Sequence, residues 1–129
     1  MNLAKYIGLP YAPQGRSRQH VDCYGLVYVV YRDEIGVVLP TYTDDYDDPD
    51  NSEEVSQAIE RHAGSWKKVL VPQVLDVLVF NMRGLPAHCG LYIGNGDFLH
   101  SMKGTATCIE RLNSITWAKR LAGCYRWEA

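Results

Sequence analysis

The feature that most limits the fold is a change of periodicity at Trp66. Before it, apolar residues recur at helical spacing; after it, they fall into short β-rich segments separated by Gly, Pro or Asn. Strands are expected over 66–70, 76–81, 87–93, 98–102, 107–111 and 123–127. Helices first and strands afterwards imply an α+β domain, N-terminal helices packed on a C-terminal antiparallel β-sheet. The 129 residues suffice for one well-formed core and not for two, so residues 1–129 are expected to form one domain with one site.

The helical half has two segments with readable ends. Asp22 is a good N-cap, and from Cys23 the apolar positions Leu26, Val27 and Val30 follow the i, i+3, i+4, i+7 pattern, with a stop near Gly36. Propensity alone would make Leu26 to Tyr31 a strand, because it is rich in Val and Tyr; periodicity and the cap favour helix. A second helix is expected from about Ser52 to His62, with Val55, Ala58, Ile59 and His62 on one face and Gly64 as its stop. Acidic residues from Asp44 to Glu54 read as a solvated loop that favours the start of this helix, and they lack the turn glycine of a calcium loop. Residues 2–7 suggest a short helix, and the Pro- and Gly-punctuated run from Gly8 to Arg18 an ordered loop beside Cys23.

Composition excludes some function classes. The net charge of −2 without a basic block argues against a nucleic-acid partner. No apolar run approaches the roughly 18 residues of a membrane span, and the N-terminus lacks the apolar core of a signal peptide. The expectation is a chain made in the cytoplasm, with no membrane partner. Cys23, Cys89, Cys108 and Cys124 include no C-x-x-C pair, so no structural metal is expected.

Chemistry centres on Cys23. A thiol attacks as thiolate, and a helix N-terminus favours that charge while its free N–H groups can hold an oxyanion. The base must come from His20, His62, His88 or His100. His88 and His100 stand in adjacent expected strands joined by Gly94-Asn95-Gly96-Asp97, a hairpin signal. A two-residue Asn95-Gly96 turn would put the histidines on opposite faces; an odd-length loop would put them on one face, and one centred on Gly94 would set them directly opposite. The odd-length loop is expected, because only then can one histidine orient the other. Zinc held by Cys23, His88 and His100 is the competing use of these residues, and no cofactor is expected.

Gly8-Leu9-Pro10-Tyr11, Asp22-Cys23-Tyr24-Gly25-Leu26-Val27, Asp76-Val77-Leu78-Val79-Phe80 and His88-Cys89-Gly90-Leu91-Tyr92-Ile93-Gly94 through His100 together resemble the NlpC/P60 family of papain-like cell-wall cysteine peptidases. The resemblance implies Cys23 as nucleophile, His88 as general base and His100 as the residue that orients it. It places Tyr11 near the nucleophile, at the substrate or oxyanion, and Asp22 and Tyr24, which flank Cys23, are expected there with it. It implies hydrolysis of γ-D-glutamyl bonds to diaminopimelate or lysine in peptidoglycan stem peptides, through an acyl-enzyme. Tyr24 stands where serine or tryptophan is usual, Cys89 where an apolar residue follows the base, and Leu75 where a glycine precedes the Asp76 motif. Strand alternation would turn Cys89 away from the site.

Leu39-Pro40, Trp66-Lys67-Lys68-Val69, Cys108-Ile109-Glu110-Arg111 and Tyr125-Arg126-Trp127 are similar to a subgroup encoded with phage tail-tip assembly proteins. That implies other phage tail proteins as partners and a place in the virion, acting at the host wall. An amidase or acyltransferase with another substrate, and an idle structural tail component, are the alternatives.

Overall fold

A computed structural model of the chain describes residues 1–128. Two short strands, β1 (Arg16–Ser17) and β2 (His20–Val21), precede helix α1 (Cys23–Ile35), and helix α2 (Ser52–His62) follows a long loop. Six strands complete the fold: β3 (Trp66–Val69), β4 (Val77–Met82), β5 (Leu85–Gly94), β6 (Asp97–Met102), β7 (Thr105–Arg111) and β8 (Leu121–Trp127). They form one antiparallel sheet in the order β3-β8-β4-β5-β6-β7. The α+β expectation and all six strands hold. The helix expected over residues 2–7 is a single 3-10 turn, Ala4–Tyr6, and the loop before Cys23 contains the unanticipated β1–β2 pair.

The α1 boundaries follow from its caps. Asp22 accepts the Gly25 N–H at 2.7 Å, and Gly36 closes the C-terminus in the left-handed region at φ 67°. Asn51 caps α2 through the Glu54 N–H, and Glu53 and Glu54 oppose the macrodipole in its first turn. Val55 and Ala58 of α2 are buried as expected, whereas Ile59 and His62 are half-buried.

Alternation gives the sheet two buried faces. Val77, Cys89, Leu91 and Leu99 pack with Leu26, Val27 and Val30 of α1 in one apolar cluster. Leu78, Phe80, Phe98 and Cys124 form the other with Trp117 from the β7–β8 connection. Leu75 keeps the left-handed backbone of a glycine turn, φ 77°, and its carbonyl accepts the Tyr31 hydroxyl at 2.6 Å. The turn ahead of Asp76 therefore survives the change to leucine.

The β5–β6 hairpin differs from expectation in means but not in outcome. Gly94 does pair with Asp97 across a two-residue Asn95-Gly96 turn, both turn residues having positive φ as a type I′ turn requires. A bulge between Tyr92 and Gly94 then inserts the odd residue, so that Tyr92 faces Phe98 and Leu91 faces Leu99. Continued inward, this register sets His100 level with Gly90, so His88 and His100 share a face as diagonal rather than direct neighbours. Gly90 is required there: a Cβ would come within 2.9 Å of the Phe98 ring and 3.1 Å of the Leu99 carbonyl oxygen.

Asp22 ties three segments together. Fully buried, it accepts the Gln14 N–H at 2.9 Å, the Arg16 guanidinium at 2.9 Å and the Tyr46 hydroxyl besides capping α1. Arg16 also donates to the Thr41 carbonyl at 2.8 Å. Removing one partner of a buried ion pair costs about 3–5 kcal/mol, because the other is left uncompensated. Asp22→Ala is therefore expected to lower the urea-unfolding free energy by about that amount, and Asp22→Asn by less; an unchanged midpoint for Asp22→Ala would contradict this role.

Candidate active site

The first turn of α1 is delivered to the sheet where β5 and β6 part. Registered pairing of these strands ends at Leu91↔Leu99. Beyond it the Ser101 hydroxyl of β6 meets the Val21 carbonyl at 3.5 Å, and Val21 leads directly into α1. The loop from Gly8 is held alongside, since the Leu9 N–H donates to the Thr107 hydroxyl of β7 at 2.7 Å and the Val21 N–H to the Pro10 carbonyl at 2.9 Å. Gly25 lets this loop lie on the helix, for a Cβ there would stand 1.9 Å from the Gly15 carbonyl oxygen.

Cys23, the first residue of α1, is 8% exposed. Its thiol is held well below the ordinary value, chiefly because the Cys89 thiol donates to it; the His88 ring and the Cys89 N–H add to this, against the cost of burial. The helix N-terminus acts in the same sense. Cys89 is pushed up by the same contact and by its own burial, so Cys23 is the member of the pair that ionises first. Cys89 thus points toward the nucleophile, contrary to expectation. Alternation is kept, with Cys89 on the α1 face of the sheet and His88 on the other. The sulfur lies close enough to the β5 backbone to be reached from both.

His88 and His100, 6% and 2% exposed, are hydrogen-bonded from Nε2 to Nδ1 at 2.9 Å. His100 Nε2 in turn meets Glu110 Oε2 at 2.6 Å. Burial and neighbouring His88 lower the His100 pKa, with Glu110 opposing. Trp117 closes the far side, its ring 5.8 Å from His88 and 5.0 Å from His100. The structure therefore brings Cys23, His88 and His100 together in that order.

The remaining expected residues divide. Tyr11 stands beside Val21 in a parallel bridge, and its phenol is kept protonated by burial and by nearby Asp50 and Cys23, so it can donate. Tyr24 donates to the Pro40 carbonyl at 2.7 Å and packs 5.0 Å from Tyr42. It walls an apolar cavity of about 100 Å³ that runs from Cys23 and Cys89 toward Val55 and Ala58 of α2. Asp22 is corrected: with no exposed surface and its oxygens occupied, it holds the loop and does not face a substrate. His62 pairs with Asp45 at 2.9 Å and stacks on Tyr42, away from His88, and His20 is exposed on β2.

Glu110 was not anticipated as a site residue. The signal for it was alternation: Glu110 faces Phe98 and Cys108 faces His100 across the β6–β7 pair, which puts an acid on the histidine face. Among the described residues, His100, Cys108 and Glu110 are also the group whose ligand atoms could gather round a metal ion, lying within 4.8 Å of one another. A cation there would compete with the His100–Glu110 hydrogen bond.

A cysteine at a helix start, its thiol favoured as thiolate and backed by two hydrogen-bonded imidazoles on an antiparallel sheet, is the arrangement of a cysteine peptidase. The chain belongs to the NlpC/P60 family, whose model matches residues 8–126. It is 27% identical over 117 residues to the Escherichia coli K12 protein named murein DD-endopeptidase MepS/murein LD-carboxypeptidase, covering 91% of this chain and 55% of that protein. It is 28% identical over 131 residues to the Bacillus subtilis gamma-DL-glutamyl hydrolase, covering 96% of this chain and 27% of the relative. Among solved structures, a Staphylococcus aureus NLP/P60-family lipoprotein-like protein superposes with a TM-score of 0.66 at 25% identity, covering 97% of this chain and 38% of the other. The chain thus spans about half the length of the first of these relatives and less of the others.

Burial raises Cys108 and Cys124 as well, so Cys23 is the thiol that should ionise first. Iodoacetamide is expected to label Cys23 well below pH 8 and ahead of the other three, with His88→Ala slowing the reaction. Peptide mass spectrometry checks this, and equal labelling of all four cysteines would contradict it.

Proposed function

We propose that the chain is a peptidoglycan endopeptidase that cleaves a stem-peptide amide through an acyl-enzyme on Cys23. The observation that carries this reading is the alignment of Cys23, at the start of α1, with the hydrogen-bonded His88–His100 pair. Cys23 gives its proton to His88, and the thiolate so formed attacks the scissile carbonyl. The N–H groups of Cys23 and Tyr24 have no acceptor among the described residues and are free to hold the developing oxyanion, with the Tyr11 phenol near Cys23 as a further donor. His88 passes its proton to the leaving amine, then draws one from the water that releases the acyl group. Asp22 takes the Gly25 N–H, so it stiffens this turn without competing for the first two donors.

The bond favoured by the sequence resemblance is γ-D-glutamyl to diaminopimelate or lysine, and the name of the Bacillus relative agrees with it. The names of the Escherichia relative point instead to DD- and LD-bonds in murein. The tail-tip resemblance adds a virion as the place of action, which a mass-spectrometric search of purified phage particles for this chain would test.

Digestion of purified peptidoglycan, with the fragments identified by mass spectrometry, tests the reading. Release of γ-D-glutamyl-terminated fragments by the wild type, with at least about a 10³-fold loss in Cys23→Ala and His88→Ala, is expected. Cleavage by Cys23→Ala at the wild-type rate would overturn the proposal. Release of DD-cleaved fragments alone would keep the chemistry and reassign the bond.

A further inference from the structure

A histidine in the orienting position has no built-in sense. Between His88 Nε2 and His100 Nδ1, 2.9 Å apart, there is one proton when both rings are neutral, and either ring can supply it. If His100 supplies it, neutral His88 carries its own proton on Nδ1, the nitrogen left to face Cys23, and cannot accept another. If His88 supplies it, Nδ1 is bare and serves as the base. An asparagine in the same place would settle the matter with a carbonyl oxygen, which only accepts. Histidine requires a further residue to do so.

We infer that Glu110 is a positioning residue for the proposed hydrolysis: its carboxylate claims the Nε2 proton of His100, which leaves His100 Nδ1 an acceptor and His88 Nδ1 free to take a proton. This rests on the functional reading above and adds the residue that makes a Cys–His–His site workable. The carrying observation is the 2.6 Å contact between Glu110 Oε2 and His100 Nε2. An ionised carboxylate accepts and never donates, so the contact has one sense. Burial reinforces the choice. His100 is 2% exposed and walled by Phe98 and Trp117, so bulk water does not compete for its ring nitrogens.

The same contact acts after proton transfer. When His88 becomes imidazolium, its Nε2–H donates to His100 and the carboxylate lies one ring away, so the positive charge is compensated inside the aromatic pocket. The titratable groups facing His100 are His88 from β5, Glu110 and Cys108 from β7, and Cys23 from α1. Glu110 reaches solvent, its side chain 37% exposed, so replacing it need not disturb the core.

Nitrogen-15 NMR of the histidine rings reads the tautomer without any substrate. In Cys23→Ala, with a chelator present to keep cations from His100, Cys108 and Glu110, His88 is expected as the Nε2–H tautomer with Nδ1 bare. Adding Glu110→Ala should convert it to a mixture. In the parent enzyme, Glu110→Ala should lower kcat by about 10-fold or more with KM within about 2-fold, since a wrong tautomer costs turnover and not binding. Glu110→Asp should recover part of the loss if the carboxylate is what matters. A His88 tautomer that is unchanged in the Glu110→Ala background would overturn the inference, as would an unaltered kcat. Because the NMR arm needs no turnover, it decides the role of Glu110 even if the stem-peptide reading fails.

Discussion

The structure depends on one contact, that of the Cys23 sulfur with the backbone and side chains of β5. The registered β5–β6 ladder ends at Leu91↔Leu99, two residues from Cys89. The contact serves two ends. It buries the sulfur in the apolar cluster that joins α1 to the sheet, and it places it where the Cys89 thiol, the His88 ring and the Cys89 N–H all favour the thiolate. Stability and reactivity are served by the same atoms.

Everything nearby holds that contact in place from one side or the other. On the helix side, Asp22 gathers Gln14, Arg16 and Tyr46 around the α1 cap, so the loop bearing Tyr11 and the loop before α2 are fixed to the same carboxylate. On the sheet side, the bulge at Ile93 and the bare Cα of Gly90 bring His88 and His100 onto one face at a diagonal spacing their rings can span. Trp117, Phe80 and Phe98 then make that face dry, which strengthens every hydrogen bond along it.

Local signals made much of this legible. The Asp22 cap with its 3.6-residue stripe defined α1, and β-rich runs between turn residues defined six strands, because both patterns are set by residues close in sequence. Parity was harder. The hairpin at Gly94-Asn95-Gly96-Asp97 is readable, but an odd-length loop is expected where a two-residue turn and a bulge occur, because a bulge depends on how two strands settle against the rest of the sheet. Cys89 was misread for a related reason. Alternation says which face a residue takes, and it does not say that a helix end will press into the strand itself. Glu110 lies on the third strand from His88, joined to it only through tertiary register, and no short motif announces such a residue.

The central claim is that the sulfur at the head of α1 is ionised where it sits, and thiolate absorbance in the ultraviolet, followed against pH, measures that directly. One thiolate is expected at neutral pH in the wild-type chain, lost in Cys23→Ala and kept in Cys108→Ala. Absence of any thiolate until the ordinary cysteine range, or its survival in Cys23→Ala, would contradict the account.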